Sequence, residues 1–476
     1  MNNANIIKAL LIIFGSMTAS GAAHAASLLE VYQQALQSDP RIHEAEARRQ
    51  AALEAEPQAR GLLLPQVRFD GDWTKTDSAG TSIGENEFGE FLAFSAETRS
   101  ETTQWQFSLR QTLFSWDQIV GLRRAAKIVA KAEADHEAAQ QDLIVRVTQR
   151  YFDVLAAEDR LTSIHANRSA IARQLEQAKQ RFDVGLIAIT AVQESQAAHD
   201  QSVASEIGAK RSLATSREFL REITGAYVKS LSAPGDDFPL KNPDPSDEAS
   251  WIDLALSQNL ALVASRLDER LARDEISFRR SGHYPTIELV ASTGESDTDA
   301  DRKAGTSLIF VTADQDGTRD TIGIQFSVPL FTGGRTTSRV REAVYLHRAS
   351  REQLQRVTRE TERQTRDAYL GVLSEISRVK ALGQAVASST TALEATQAGF
   401  DVGTRTIVDV LDSQFTLYVA ITNFYQARYD YILNAMRLKQ AAGTLRVQDL
   451  EGLDRWLSDR KPPEQAIAEE EATATE

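Results

Sequence analysis

Hydrophobic and polar positions alternate with two different periods along this chain. Four short segments have a period of two, which is typical of β-strands with one apolar face. Much longer segments place apolar residues at alternating steps of three and four, which predicts helices with a coiled-coil-like seam. The pattern therefore predicts an α+β protein that is mostly α-helical.

The period of two predicts a pair of strands in each half of the chain. The first strand of each pair follows Pro65 or Pro285, and a polar stretch follows it at residues 74–102 or 294–320, where we expect a long loop. The second strands end at Leu113-Phe114 and Leu330-Phe331. The apolar positions of the four strands are Val67, Phe69, Trp73, Trp105, Phe107, Leu109, Ile287, Leu289, Ala291, Ile322, Ile324, Phe326, Val328 and Leu330.

Such strands fit two kinds of sheet. They suit a membrane barrel with a wet interior, and they equally suit a soluble sheet with one buried face. Four strands are too few to close a barrel, because closed membrane barrels start at about eight strands. If the sheet is a barrel, several copies of the chain must share it.

The helical period predicts very long helices at residues 117–181 and 335–399. Some 65 residues at 1.5 Å per residue give about 100 Å, several times the usual helix length. Each long helix is expected to end at a Val-Gly turn, after which a shorter helix (187–224 or 406–442) runs back. Further helices are predicted before the strands, at 28–59 and 251–280.

The two halves are copies of one unit about 220 residues long. Matching positions in the two copies are Leu36 and Leu256, Pro65 and Pro285, Tyr151 and Tyr369, and Gly225 and Gly443. We predict a first repeat at residues 26–245 and a second at 246–450, each with the order strand, loop, strand, long helix, short helix. Residues 451–476 are predicted to be an acidic disordered tail.

The ends and the composition narrow the class of protein. Residues 1–25 have a short apolar core and an Ala23-His24-Ala25 cleavage pattern, which predicts a signal peptide; a membrane anchor is the less favoured alternative. The formal charge of −14 argues against a nucleic-acid partner. The chain has no cysteine, which removes disulfides and thiolate sites.

No catalytic, cofactor or metal constellation emerges from the motifs. Residues 80–84 spell G-x-S-x-G but lie in a polar stretch without a strand-to-helix elbow. Residues 297–301 resemble the start of a calcium loop but lack its glycine and its terminal glutamate. The scattered histidines have no metal-ligand spacing. We therefore predict a protein that is not an enzyme and has no cofactor.

Asp409 and Asp412 are the most promising functional pair. They lie three residues apart where a helix restarts after Gly403, so we expect both side chains on one helical face. A solvated face is the ordinary explanation for such a pair. In a closed ring of several copies, however, the carboxylates would converge and attract cations.

Residues 402–412, together with Val184-Gly185-Leu186, resemble the TolC family of trimeric outer-membrane exit ducts. The resemblance covers nearly all of the chain, from about Leu28 to Leu450. It implies a homotrimer with a 12-stranded outer-membrane β-barrel, continued by a periplasmic α-helical coiled-coil tunnel. It also implies passive conduction, with outer-membrane lipid around the barrel and with a periplasmic adaptor and an inner-membrane pump of RND or ABC type as partners.

The resemblance assigns roles at the periplasmic end, which inward-coiling helices close in this family. Asp409 and Asp412 match the constriction aspartates. Arg405 matches the arginine that helps to lock the closed end, and Thr190 matches its threonine partner. The matches to the adaptor-docking tips are Val184, Gly185, Leu186, Val402, Gly403 and Thr404.

Two lock positions depart from the family pattern. Phe400 stands where the family has a tyrosine, and Ala191 stands where it has an aspartate, so a hydrogen bond and an ion pair of the lock are lost. We expect a closed state that is held more weakly, or that is held by other contacts, such as Asp183 or Asp401.

Two other classes of protein stay open at this point. A periplasmic coiled-coil adaptor or structural rod would have the helices without a barrel, and a secreted enzyme would need a catalytic site. The sequence does not specify the cargo, which is either drugs or a secreted protein.

Overall fold

A computed structural model describes residues 25–459, except 86–87, 90, 236 and 305–308. The expected signal peptide, apart from Ala25, lies outside these residues. The described chain forms two compact units. The first unit comprises residues 25–46, 136–262 and 358–459, and the second comprises 47–135 and 263–357.

The order of helices, two strands, a long helix and a shorter helix occurs twice, which confirms the predicted duplication. The first copy consists of α1 (Leu28–Ser38), α2 (Pro40–Leu53), α3 (Ala55–Gly61), β1 (Gln66–Glu85), β2 (Phe91–Phe114), α4 (Trp116–Asp183), α5 (Ile189–Thr224) and β3 (Ala233–Pro234). The second copy consists of α6 (Glu248–Gln258), α7 (Leu260–Arg280), β4 (Thr286–Ala304), β5 (Ile309–Ser327), α8 (Arg335–Asp401), α9 (Ile407–Ala441), α10 (Val447–Asp454) and β6 (Leu457–Ser458).

The helices before the strands are divided, which corrects the single helices predicted at 28–59 and 251–280. Asp39 precedes a proline and is extended (φ −71°, ψ 116°), so α1 ends there. In the second copy the break is at Asn259, which is extended as well (ψ 122°). Its amide nitrogen donates to Ala441 O at 2.9 Å and its amide oxygen accepts from Leu262 N at 3.0 Å, so one side chain caps the ends of α9 and α7.

The second unit contains a four-stranded antiparallel sheet in the order β1-β2-β4-β5. Cross-strand pairing places the apolar positions within the four strands on one face, as the alternation predicted, whereas Val328 and Leu330 lie beyond the end of β5 at Ser327. The pairs on this face include Val67 with Leu109, Phe69 with Phe107, Leu109 with Ala291, Leu289 with Ile324, and Ala291 with Ile322. Val67, Phe69, Trp73, Ile322, Ile324 and Phe326 are all exposed in the single chain.

The long loops expected at 74–102 and 294–320 are wrong, because the strands continue through most of both stretches. Residues 74–82, which follow Trp73, are polar or small, so no apolar alternation indicated a strand there. Cross-strand charge pairs accompany the extension, including Lys75 with Glu101 and Arg99 with Asp77 at 2.7 Å. The 80–84 and 297–301 motifs therefore lie on strands β1 and β4, which fits neither a nucleophile elbow nor a calcium loop.

The first unit holds the main hydrophobic core. Tyr151 is fully buried at its centre, and its hydroxyl donates to Ser232 O at 2.6 Å. Its counterpart in the second copy, Tyr369, donates in the same way to Ser246 O at 2.5 Å. The duplicated tyrosines thus fasten irregular segments to the two long helices.

Residues 451–458 of the predicted disordered tail instead form helix, turn and strand. Helix α10 extends to Asp454, where Leu453 is buried, and Leu457–Ser458 pairs with Ala233–Pro234. Residues 460–476 of the expected tail lie outside the described residues. Among the helices that the structure describes, none is long and apolar enough to cross a membrane.

Candidate functional site

The two Val-Gly turns have the same backbone geometry. Gly185 has φ +78° and Gly403 has φ +80°, a conformation that glycine adopts without steric cost. Each glycine follows the end of a long helix in a Schellman motif. The closing hydrogen bonds are Leu186 N to Arg181 O at 2.8 Å, Gly185 N to Phe182 O at 2.8 Å, Thr404 N to Gly399 O at 2.8 Å and Gly403 N to Phe400 O at 3.0 Å.

The turns present apolar side chains to solvent in the single chain. Val184, Leu186 and Val402 are 71–76% exposed, which is unusual for aliphatic residues at rigid turns. Exposed apolar side chains on a fixed backbone suit a docking surface. They are three of the six residues that the resemblance assigned to docking tips.

Helix α9 begins with a capping box between Thr406 and Asp409. Asp409 Oδ2 accepts from Thr406 N at 2.8 Å and from the Thr406 hydroxyl at 2.9 Å. The hydrogen bond from the Thr406 backbone N–H has the largest effect, and together with the bond from the hydroxyl it holds the pKa of Asp409 below its usual value. The positive charge of Arg405 lowers this pKa further. The sequence analysis missed this cap, although Thr-x-x-Asp at a helix start indicates it.

Asp412 has a different environment. Its side chain is exposed and lines a groove of about 1060 Å³ between α4, α5 and α9, beside Phe415 and Tyr418. The two aspartates therefore lie on one helix, but one is engaged in the cap and the other adjoins the groove. In the described part of the chain, no group of acidic or histidine side chains is arranged to hold a metal ion.

The two lock positions that depart from the family pattern belong to one apolar cluster. Phe400 is only 8% exposed and is buried with Ile407 and Val410. Ala191, at the start of α5, packs against this cluster. An apolar contact between α5 and the α8–α9 turn thus occupies the place expected for a polar lock.

Arg405 and Thr190 are not brought together by a bond. Within the described residues, the Arg405 guanidinium and the Thr190 hydroxyl have no hydrogen-bond partner, and Thr190 is exposed. Arg405 instead lies over the last turn of α8. A Cβ placed on Gly399 would be 2.8 Å from Arg405 Cγ, so this approach requires glycine at position 399.

A cation that the sequence analysis missed lies beside Phe400. Arg181 Nη2 is 3.0 Å from Asp401 Oδ1, and the Arg181 guanidinium lies 4.8 Å from the centre of the Phe400 ring. Asp183 and Asp401 were both named as examples of other contacts that could hold the closed state; the structure pairs Asp401 with Arg181. Sequence alone gave no distance between Arg181 and Asp401, which are 220 positions apart.

The matched strand pairs, the long helices and the paired tips occur together in one known family. The model of the outer membrane efflux protein family matches the chain twice, over residues 31–226 and 251–444. The chain belongs to the outer membrane efflux protein family.

Named relatives and a solved structure agree with this assignment. The outer membrane protein TolC of Vibrio cholerae is 39% identical over 459 residues, which cover 96% of this chain and 100% of TolC. The alkaline protease secretion protein AprF of Pseudomonas aeruginosa is 28% identical over 438 residues, covering 90% and 87%. The crystal structure of VceC from Vibrio cholerae has the same fold, with a TM-score of 0.69 and 18% identity, over 87% of this chain and 96% of VceC.

The membership settles the general class of the protein. This efflux-family protein is an outer-membrane exit duct that extends into the periplasm, and it is a transporter rather than an enzyme. The alternative of a periplasmic rod without a barrel does not fit a member of this family.

Proposed function

We propose that three copies of this chain form one outer-membrane channel. The observation that carries the proposal is the sheet of four strands, in which β1 and β5 are edge strands. Unpaired backbone groups are costly in a membrane, so the edges must pair with other copies. Three copies supply twelve strands, enough to close a barrel.

The extent of the apolar face supports a membrane position. On β1 it runs from Val67 to Trp73, which is about 20 Å at 3.4 Å per residue. Outer-membrane barrels have an apolar band about 25 Å tall. The polar continuation of the strands, with its charge pairs, then extends into water rather than lipid.

The oligomer is tested on the purified full-length protein. Light scattering in detergent should give a trimer, and unheated samples should migrate as a trimer that dissociates on heating. The protein should fractionate with the outer membrane. A monomer that stays soluble without detergent would contradict the channel and favour a periplasmic adaptor or rod.

The proposed partners are a periplasmic adaptor and an inner-membrane pump of RND or ABC type. The exposed tips at Val184-Gly185-Leu186 and Val402-Gly403-Thr404 would dock the adaptor, since each turns at a positive-φ glycine and they expose the side chains of Val184, Leu186 and Val402. Relatives include a protein named for alkaline protease secretion, so secreted proteins join drugs as candidate cargo. Because the chain lacks cysteine, Val184→Cys and Val402→Cys give single crosslinking sites. Crosslinking of an adaptor from these sites, and not from Ser78→Cys on strand β1, is the expected result.

The proposed constriction consists of Asp409 and Asp412. Threefold symmetry would bring six carboxylates around one aperture and make it attractive to cations. Arg405, Thr190, Phe400 and Ala191 occupy the positions of the lock that keeps this aperture closed. The apolar packing of Phe400 and Ala191 supports a lock of different chemistry from the polar one that the resemblance implied.

A further inference from the structure

Arg181 joins the ends of the two long helices. It lies in the last turn of α4, while Phe400 and Asp401 are the last two residues of α8. One guanidinium thus contacts both an aromatic face and a carboxylate across the helix pair, at 4.8 Å and 3.0 Å. Arg181 is largely sheltered, with a quarter of its side chain exposed, whereas Asp401 is about half exposed.

The positive charge of Arg181 lies at the negatively charged carboxyl end of α8. The carboxyl end of a helix has a partial negative charge, and Asp401 adds a full one. The last turn of α8 contains no basic residue, so α8 does not neutralise its own end. Arg405 lies over this last turn from the turn that follows α8, and Arg181 adds a second cation from the neighbouring helix, which makes its contact specific to the paired arrangement of α4 and α8.

The contact of Arg181 has no counterpart in the second copy of the repeat. Gly399 is the counterpart of Arg181 in the second tip, and a Cβ there would lie against Arg405. The second tip therefore cannot supply a matching cation. The phenylalanines differ accordingly: Phe400, beneath Arg181, is 8% exposed, while Phe182 in the first tip is 38% exposed.

Together, apolar packing and an ion pair link α8 and α9 to α4 and α5. The underside of Phe400 packs in the apolar cluster with Ile407 and Val410, and Ala191 closes it from α5. Moving α8 and α9 away from α4 and α5 would expose this cluster and break the Arg181–Asp401 pair together. We infer that Arg181, Phe400 and Asp401 form a latch that holds the channel closed in place of a tyrosine–aspartate lock; this rests on the proposed function.

The latch is tested by single-channel recording of the purified protein in planar bilayers. An exposed ion pair contributes a factor of about 1.4 to 5, so R181Q should raise the opening equilibrium about threefold in each copy. If three copies open together, the total is about 30-fold. D401N should have a smaller effect, because it leaves the contact of Arg181 with the Phe400 ring, and R181Q/D401N should equal R181Q, which already removes the ion pair.

The matched control is R363Q. Arg363 pairs with Asp367 at 2.6 Å inside α8, so its loss removes an ion pair that joins no second helix. If R181Q fails to assemble as a trimer, D401N provides the same test at a more exposed position. A second measurement uses spin labels at Val184→Cys and Val402→Cys, whose separation should broaden in R181Q and stay unchanged in R363Q.

The outcomes are distinguishable. Equal opening of the R181Q, D401N and R363Q channels would overturn the latch and leave the channel assignment intact. Absence of any conductance from the unaltered protein, R181Q and D401N alike would overturn the proposed function and the latch with it. A rise in open probability confined to R181Q and D401N supports the latch.

Discussion

Thr406 and Asp409 cap each other at the first turn of α9. The Asp409 carboxylate accepts from the Thr406 N–H at 2.8 Å, and the Asp409 N–H donates to the Thr406 hydroxyl at 3.3 Å. The first bond favours the ionised carboxylate and so lowers the pKa of Asp409. A carboxylate at the proposed constriction is therefore kept charged by its own chain, against the crowding that a ring of copies would bring.

This cap separates the roles of the two aspartates. D409N/D412N should abolish block of the current by a trivalent cation such as hexaamminecobalt(III), added on the periplasmic side of a planar bilayer. D412N alone should weaken the block about tenfold, because it removes three charges from the aperture. Only D409N should also lower the thermal stability of the helical part, because only Asp409 caps α9.

Asp200→Asn is the control for this experiment, since it removes an exposed carboxylate from α5. Its channel should be blocked like the unaltered one. Persistent block in the double variant would place the cation site elsewhere.

The apolar face of the sheet gives a second prediction. Phe69 lies opposite Phe107 with 4.8 Å between the ring centres. A lysine on the lipid side of a barrel costs about 2–4 kcal/mol near the middle of the membrane. F69K should therefore reduce the trimer recovered from the outer membrane and lower its unfolding free energy in lipid by about 2 kcal/mol.

The neighbouring position is the matched control. Asp70 lies on the opposite, polar face and pairs with Gln106, so D70K should change the unfolding free energy by less than about 1 kcal/mol. Equal losses for F69K and D70K would show that the apolar face does not contact lipid.

The hydrophobic periods and the positions of proline and glycine predicted the order of helices and strands well. The prolines at 65 and 285 mark the strand starts, because proline restricts the backbone locally. The glycines at 185 and 403 mark the tips, because glycine can adopt the positive φ that these turns require. The outer parts of the strands were missed for a physical reason. Residues 74–82 of β1 are polar or small, so positions such as Lys75 and Asp77 carry no apolar alternation.

The sequence could predict only those parts of the site whose contacts lie within a single helix. Asp409 and Asp412 follow from helical spacing, and the cap could have been found from Thr406 and Asp409 by the same rule. The contact of Arg181 with Asp401 depends on how two helices pair, which no spacing within either helix encodes. For the same reason, Ala191 and Phe400 looked like separate losses until packing placed them in one cluster.

A buried carboxylate between α4 and α5 gives a prediction for pH. Glu206 is 2% exposed; burial would raise its pKa, but Lys210 at 2.8 Å and Arg168 at 2.9 Å lower it to about 2. Because the pKa of Glu206 is lower in the folded state than in the unfolded state, its ionised carboxylate stabilises the folded protein at pH values above the unfolded-state pKa. This contribution to the free energy of unfolding is lost as the pH falls towards 2. The shift corresponds to about 3 kcal/mol.

Urea unfolding of the detergent-solubilised protein between pH 6 and 3 measures this contribution. The unaltered protein should lose stability through this range, and E206Q should be less stable at pH 6 with a flatter profile. E218Q is the control, since Glu218 is exposed in the same helix. Parallel profiles for E206Q and the unaltered protein would show that Glu206 does not control the acid response.

The apolar lock gives the last prediction. Ala191 packs against a cluster that contains the buried Phe400, and Arg405, the expected partner of an aspartate at 191, lies instead over the last turn of α8. An aspartate at 191 therefore brings a carboxylate beside apolar groups. A191D should destabilise the closed state by about 1–3 kcal/mol and raise channel opening. F400Y alone should have little effect, but A191D/F400Y should recover part of the loss, because the phenol can donate to the new carboxylate.

A188D is the matched control for the added charge. Ala188 is the N-cap of α5 and makes no capping bond through its side chain, so aspartate there should stabilise the helix by about 1 kcal/mol. The same substitution three residues apart should thus have opposite signs in thermal unfolding, and only A191D should respond to F400Y. Equal opening in A191D and A191D/F400Y would show that positions 191 and 400 do not interact in the closed channel, and the lock would then depend on Arg181 alone.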